Sequence, residues 1–144
     1  MTPTPPALPL FVYGTLRDPH VLAAVVNRRL HETETAPARA PDFRTVYYPG
    51  HTFPAIIPVP GTAAPGLVLY GLGETEMALL DAYEGDDYIR APVTIAVRGE
   101  AITAWAYLPT AQISADAPDW TLEQWNEIHR PGIMGETVEE DADV

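Results

Sequence analysis

Tyr88-Ile89-Arg90-Ala91-Pro92-Val93-Thr94-Ile95-Ala96-Val97, the turn Arg98-Gly99-Glu100 and Ala101-Ile102-Thr103-Ala104-Trp105-Ala106-Tyr107-Leu108 are the stretch on which the fold reading turns. Ile89, Val93, Ile95 and Val97 alternate with Tyr88, Arg90 and Thr94, the period-two pattern of a half-buried strand. After the turn, Ile102, Ala104 and Ala106 fall on one side of a second strand and Thr103, Trp105 and Tyr107 on the other. This is a β-hairpin, so the core contains antiparallel sheet. Just upstream, Glu74 to Tyr83 reads as a helix. Met77, Leu80 and either Ala78 or Tyr83 face the core, and Gly85 suits the C-terminal stop.

Further out the elements stay short, punctuated by sixteen prolines. Gly66 to Leu72 reads as a buried strand. Residues 36–60, rich in proline, alanine and aromatics, predict short, irregular extended segments. Leu8 to Tyr13 is an apolar strand running into Gly14-Thr15. Asp18 and Pro19 suit the N-cap and first position of a helix from His20 to Leu30. Its apolar face is Val21, Leu22, Val25, Val26 and Leu30. Thr121-Leu122-Glu123-Gln124 has capping-box spacing and predicts a short helix to about Arg130. Residues 1–7 read as a disordered leader, 8–135 as a single domain and 136–144 as an acidic disordered tail. Strands interrupted by two or three short helices, without internal repeats, predict the α+β class.

Composition narrows the chemistry. The 144 residues match one domain, and 47% are hydrophobic, enough for a sizeable core. Net charge is −12, and all eight basic residues are arginines. Such a surface repels phosphate backbones, and no basic stripe in the sequence opposes it, so neither nucleic acid nor an anionic membrane is an expected partner. No signal sequence and no apolar run of membrane-spanning length is seen, so the expected location is cytoplasmic. Without cysteine or lysine there is no thiolate, Schiff base or P-loop lysine. The single serine, Ser114, sits in a loop-like stretch, and the four histidines lack metal-ligand spacing. Carboxylates, tyrosines, threonines and backbone amides remain.

Two segments offer them. In Tyr13-Gly14-Thr15-Leu16 a strand ends in Gly-Thr shortly before a helix. Gly14 lets a ligand approach the backbone, and successive amides there suit an anion such as a carboxylate. The same residues also suit an ordinary strand-to-helix turn. In Asp81-Ala82-Tyr83-Glu84-Gly85-Asp86-Asp87-Tyr88-Ile89-Arg90, Glu84 stands at a helix C-terminus, where a negative charge is disfavoured. Burial beside Tyr83 or Tyr88 would raise its pKa toward that of a neutral-pH general acid/base. The alternative is a solvated acidic helix end. Asp81 reads as a helix-surface or arginine-pairing residue.

Together, in this order and about seventy residues apart, the two segments resemble the gamma-glutamylcyclotransferase-like, or AIG2-like, family. The resemblance continues through Tyr48-Pro49-Gly50, Phe53-Pro54-Ala55, the strand from Gly66 to Gly71 and the strand ending Trp105-Ala106-Tyr107, and it covers roughly residues 8–110. Thr15 stands where many members have serine. The resemblance implies a small mixed barrel-like sheet with helices packed around it. It implies a substrate-binding loop at Tyr13 to Leu16 and Glu84 as the general acid/base. It also implies release of 5-oxoproline from a small gamma-glutamyl amine, amide or peptide by attack of the substrate's own α-amine, with no cofactor or metal. Tyr13, Tyr88 and Tyr107 are expected at the pocket, with core packing as the alternative for Tyr13 and Tyr107. The pocket walls are expected from residues 36–60 and from the chain after Tyr107. The alternative is a non-catalytic or differently catalytic small-carboxylate-binding member of the same fold. A partner-binding role for the acidic tail ranks third.

Overall fold

A computed structural model of the chain describes residues 8–125 and 127. The leader, the acidic tail, the expected domain end at 135 and the helix end near Arg130 lie outside those residues. Five strands build the structure: β1 (Leu10–Val12), β2 (Thr35–Tyr47), β3 (Pro54–Leu69), β4 (Tyr88–Val97) and β5 (Glu100–Pro109). They close into a barrel in the order β1-β3-β2-β4-β5. Neighbours are antiparallel except β1 and β5, whose parallel pairing at Leu10 and Trp105 closes the ring. The sheet is therefore mixed and the class α+β.

The β4–β5 hairpin forms as expected, but its turn is one residue shorter: Glu100 joins β5 opposite Val97, across Arg98-Gly99. Ile89 keeps the face of Val93 and Ile95 but not their burial. It is 60% exposed, near the start of β4. Residues 36–60 also differ from expectation. They belong to two long strands, not short irregular pieces, and the strand expected to begin at Gly66 is the far end of β3. The prolines explain both the misreading and the outcome. Pro37 faces Leu67, Pro65 faces Arg39 and Pro41 faces Ala63, all in one alternating class of pairs. Alternate pairs of an antiparallel ladder exchange no hydrogen bonds, so a missing N–H in that class costs the β2–β3 ladder nothing. Asp42, at φ 64°, introduces the bulge where the register shifts.

Inside the barrel, Ala36, Ala38 and Ala40 of β2 meet Phe11, Ile56, Val68, Val93, Ile95 and Ala104. Small side chains on one strand and bulky ones on the others fill a narrow ring. A second core lies outside it. Leu10 and Val12 of β1 point away from the barrel, against Leu16, Leu22, Val26 and Leu80. Thus β1 is buried on both faces, as its unbroken apolar run requires.

Leu22 and Val26 come from α1 (Pro19–Val26) and Leu80 from α2 (Glu74–Glu84). Asp18 caps α1 as predicted, its side chain accepting from the His20 amide at 2.8 Å. The helix stops at Val26, short of Leu30, because Asn27 takes the left-handed conformation (φ 63°). On α2, Leu80 is fully buried and Met77 partly so. Ala78 and Tyr83, the two candidates for a third core position, are both exposed. Thr121 caps α3 (Leu122–Gln124), accepting from the Gln124 amide at 3.1 Å.

Candidate active site

Where β1 leaves the barrel, a cavity of about 320 Å³ opens between the turn after β1, the start of β3 and the end of α2. That is within the size range of small-molecule sites. Each wall follows from local sequence. Gly14 allows the turn to lie against Pro54: a Cβ at position 14 would come within 2.8 Å of the proline Cγ. Beyond it, Thr15–Arg17 makes one 3₁₀ turn, with the Gly14 and Thr15 carbonyls accepting from the Arg17 and Asp18 amides at 3.0 and 2.9 Å. The amides that open such a turn have no acceptor inside it, and Thr15 and Leu16 line the cavity. At the N-terminus of α1, Pro19 has no N–H and the His20 amide is already taken by the Asp18 carboxylate. Any anion at this site is therefore left to the 3₁₀ turn.

Glu84 enters from the other side. It is the last residue of α2, and Gly85, at φ 69°, breaks the helix and turns the chain toward β4. Glu84 lines the cavity. Among the described residues its carboxylate has no hydrogen-bond or ion-pair partner. Burial pushes its pKa up to about 7, because a charged oxygen there gives up water and gains nothing in return.

Asp81, one turn earlier, is held by its neighbours. Arg90 donates to both of its oxygens, at 3.0 and 3.2 Å, and the Tyr107 hydroxyl donates to Oδ1 at 2.7 Å. The Arg90 guanidinium also lies 4.7 Å from the centre of the Trp105 ring. The arginine-pairing reading of Asp81 describes this arrangement.

Tyr13, Tyr88 and Tyr107 all line the cavity, while their hydroxyls point into the frame. Tyr13 donates to the Tyr107 carbonyl at 2.5 Å, Tyr88 to the Pro54 carbonyl and Tyr107 to Asp81. Burial raises all three phenol pKa values, reinforced at Tyr107 by the Asp81 carboxylate it bonds and at all three by the nearby Glu84 charge. All three are therefore neutral at physiological pH. Both expectations for these residues hold in part, since the rings wall the cavity and the hydroxyls are satisfied internally.

Six lining residues were not among the sequence candidates: Phe11, Val12, Phe53, Pro54, Tyr83 and Asp87. Phe53 belongs to an aromatic group in which its ring stacks on His51 at 4.3 Å and meets Tyr48 at 5.5 Å. The run from Tyr48 to Ala55 carried the family resemblance, so that signal was present in the sequence. The wall expected from the chain after Tyr107 is absent among the described residues.

A small mixed barrel with a shielded, unpartnered carboxylate at one mouth defines the class, and comparison with known proteins identifies it. Residues 10–127 match the family described as gamma-glutamyl cyclotransferase, AIG2-like. AIG2-like protein D of Arabidopsis thaliana is 31% identical over 90% of this chain and 86% of its own length. A solution structure of an Arabidopsis thaliana protein is similar at 27% identity and TM-score 0.68, covering 90% of this chain and 87% of that one. A structure of a gamma-glutamyl cyclotransferase shares the fold at 21% identity and TM-score 0.57, over 72% of this chain and 66% of that one. The chain belongs to the gamma-glutamyl cyclotransferase, AIG2-like family.

Proposed function

We propose that the chain is a gamma-glutamyl cyclotransferase acting on a small gamma-glutamyl amine, amide or peptide, with Glu84 as its acid/base. The observation that carries this reading is the Glu84 carboxylate, without a protein partner, desolvated, and lining one cavity with the turn at Tyr13 to Leu16. The cavity's charged lining residues are the carboxylates Glu84 and Asp87, and among the described residues no cationic side chain lines it. The substrate's α-carboxylate therefore needs donors from the backbone, and the amides of Thr15 and Leu16 are the nearest kind. The rings of Tyr13, Tyr88, Tyr107 and Phe53 enclose the glutamyl chain and exclude water.

The reaction needs little more. At pH 7 and above the Glu84 carboxylate takes a proton from the substrate's ammonium group. The freed amine attacks the γ-carbonyl, a five-membered ring forms, and the C–N bond to the leaving amine breaks as that nitrogen receives the proton from Glu84; the ring nitrogen then gives up its second proton, which the released amine carries away as its ammonium form. The products are 5-oxoproline and the amine, and Glu84 is regenerated. The nucleophile belongs to the substrate, so a chain without cysteine or lysine lacks nothing. Folding the substrate into its ring-closing conformer supplies much of the rate, and the positioned acid/base about 10²–10⁴-fold more.

The test is incubation with a panel of gamma-glutamyl amines, gamma-glutamyl dipeptides and glutathione, with 5-oxoproline as the readout. At least one member should be turned over. Saturable binding of these compounds with no 5-oxoproline from any of them would assign the cavity to carboxylate binding instead.

A further inference from the structure

Arg17, Arg39 and Arg98 are far apart in the chain, and the barrel brings them to a single open groove of about 640 Å³. It runs over the outer face of the sheet, where Arg39 of β2 lies opposite Pro65 of β3 on one side and Ala96 of β4 on the other. Pro37, Pro65 and Leu122 supply apolar walls. Arg28, Arg44 and Arg90 are held in ion pairs, whereas among the described residues Arg17, Arg39 and Arg98 have none. They are three guanidiniums without ion-pair partners among the described residues, in a chain with no lysine and a net charge of −12. Burial pulls the Arg17 pKa down, and Glu123 offsets this through space without forming a pair.

Backbone strain at the same place is an independent sign. Arg98 and Gly99 form the β4–β5 turn with φ of 51° and 84°. A two-residue turn with both φ values positive favours Asn-Gly or Gly-Gly, and a long side chain at its first position is strained. Strain retained at a ligand-facing position is a signature of function, and here the strained residue contributes a guanidinium to the groove.

We propose that this groove binds a small polyanion carrying two or more phosphate or carboxylate groups, at a site separate from the Glu84 cavity. Planar guanidinium forks pair with either oxyanion in two-pronged fashion, and apolar walls strengthen such pairs by excluding water. The groove and the cavity share no lining residue. They adjoin at the consecutive residues Leu16 and Arg17 and across β1, where Val12 of the cavity pairs with Leu67 of the groove.

The experiment is titration calorimetry of the full chain at low salt with inorganic pyrophosphate and, separately, with citrate. At least one probe binds, and its affinity falls as sodium chloride is added. Pyrophosphate alone assigns phosphate chemistry, citrate alone assigns carboxylate, and both assign the shared charge. Arg39→Gln, on the outer face, and Arg98→Asn, which relieves the turn, each weaken binding roughly tenfold, the scale of one lost charge-assisted contact. Glu84→Gln leaves binding unchanged, so the groove and the proposed catalysis fail independently. The proposal is overturned if neither probe binds, or if binding survives both arginine substitutions. It is also overturned if binding appears only after Glu136, Glu139, Glu140, Asp141 and Asp143 are changed to amides, which would give the groove to the chain's own acidic end.

Discussion

Asp81 and Glu84 stand one turn apart on α2, and they show how the same functional group acquires opposite roles. Asp81 receives hydrogen bonds from Arg90 and Tyr107 and ties the helix to β4 and β5. Its charge is matched, and its contribution is to the frame. Glu84 has lost water without gaining a partner. Its charged form is destabilised, which is poor for folding and useful for moving a proton near pH 7. On the proposed reading, the catalytic carboxylate is marked by the compensation it lacks, and the structural one by its partners.

The most severe way to break that contrast is Glu84→Gln. The amide keeps the shape and cannot carry the proton, so kcat should fall by about 10²–10⁴-fold with little change in KM. Turnover near the wild-type rate would remove Glu84 from the mechanism.

The same substitution sharpens the contrast in stability. The folded carboxyl has its pKa at about 7, against 4.5 when unperturbed. Between those values the folded state holds a proton that the unfolded chain has released, so wild-type stability falls as pH rises through that window and levels off above it. Glu84→Gln escapes the loss and should be more stable than wild type at pH 8, on the order of 2–3 kcal/mol. The difference should vanish below pH 4.5. Denaturant melts at pH 4 and pH 8 check both arms. In the wild type, kcat/KM should drop about tenfold per unit as pH falls below 7, because the carboxylate is the competent base.

Gly14→Ala attacks the opposite wall. Its Cβ would force Pro54 aside, costing about 1–2 kcal/mol of stability and raising KM by distorting the turn. An unchanged KM would separate the turn from substrate binding.

The smallest effect belongs to Asp81→Asn. It loses the Arg90 pair while still accepting from Tyr107. Because the pair is partly solvated, with side-chain exposures of 28% and 41%, the cost should be about 0.5–1 kcal/mol, with kcat within tenfold. Opposite stability signs for Asp81→Asn and Glu84→Gln at pH 8 are the outcome the comparison demands.

Much of this site was legible in the chain. Tyr13 to Leu16 and Glu84 to Tyr88 stood out because glycine breaks, a helix end and aromatic neighbours leave local marks. Phe53, Pro54 and Asp87 lie in stretches that were marked but were not themselves singled out, because their role depends on the start of β3 and the end of α2 meeting across the barrel mouth. The proline-rich strands were misread for a related reason. Whether a missing N–H matters depends on which pair of the ladder it falls in, and that is a property of the partner strand.

By itself the sequence determined the local periods, the caps at Asp18 and Thr121, the β4–β5 hairpin, the helix stop at Gly85 and the reagents available for chemistry. These follow from forces acting over a few residues. Only the tertiary structure decided the continuous β2–β3 ladder, the exposure of Ile89 and Tyr83, and the convergence of Arg17, Arg39 and Arg98. It also decided that Asp81 is partnered while Glu84 is not. Burial and pairing come from neighbours distant in sequence, and an electrostatic environment exists only once those neighbours have met.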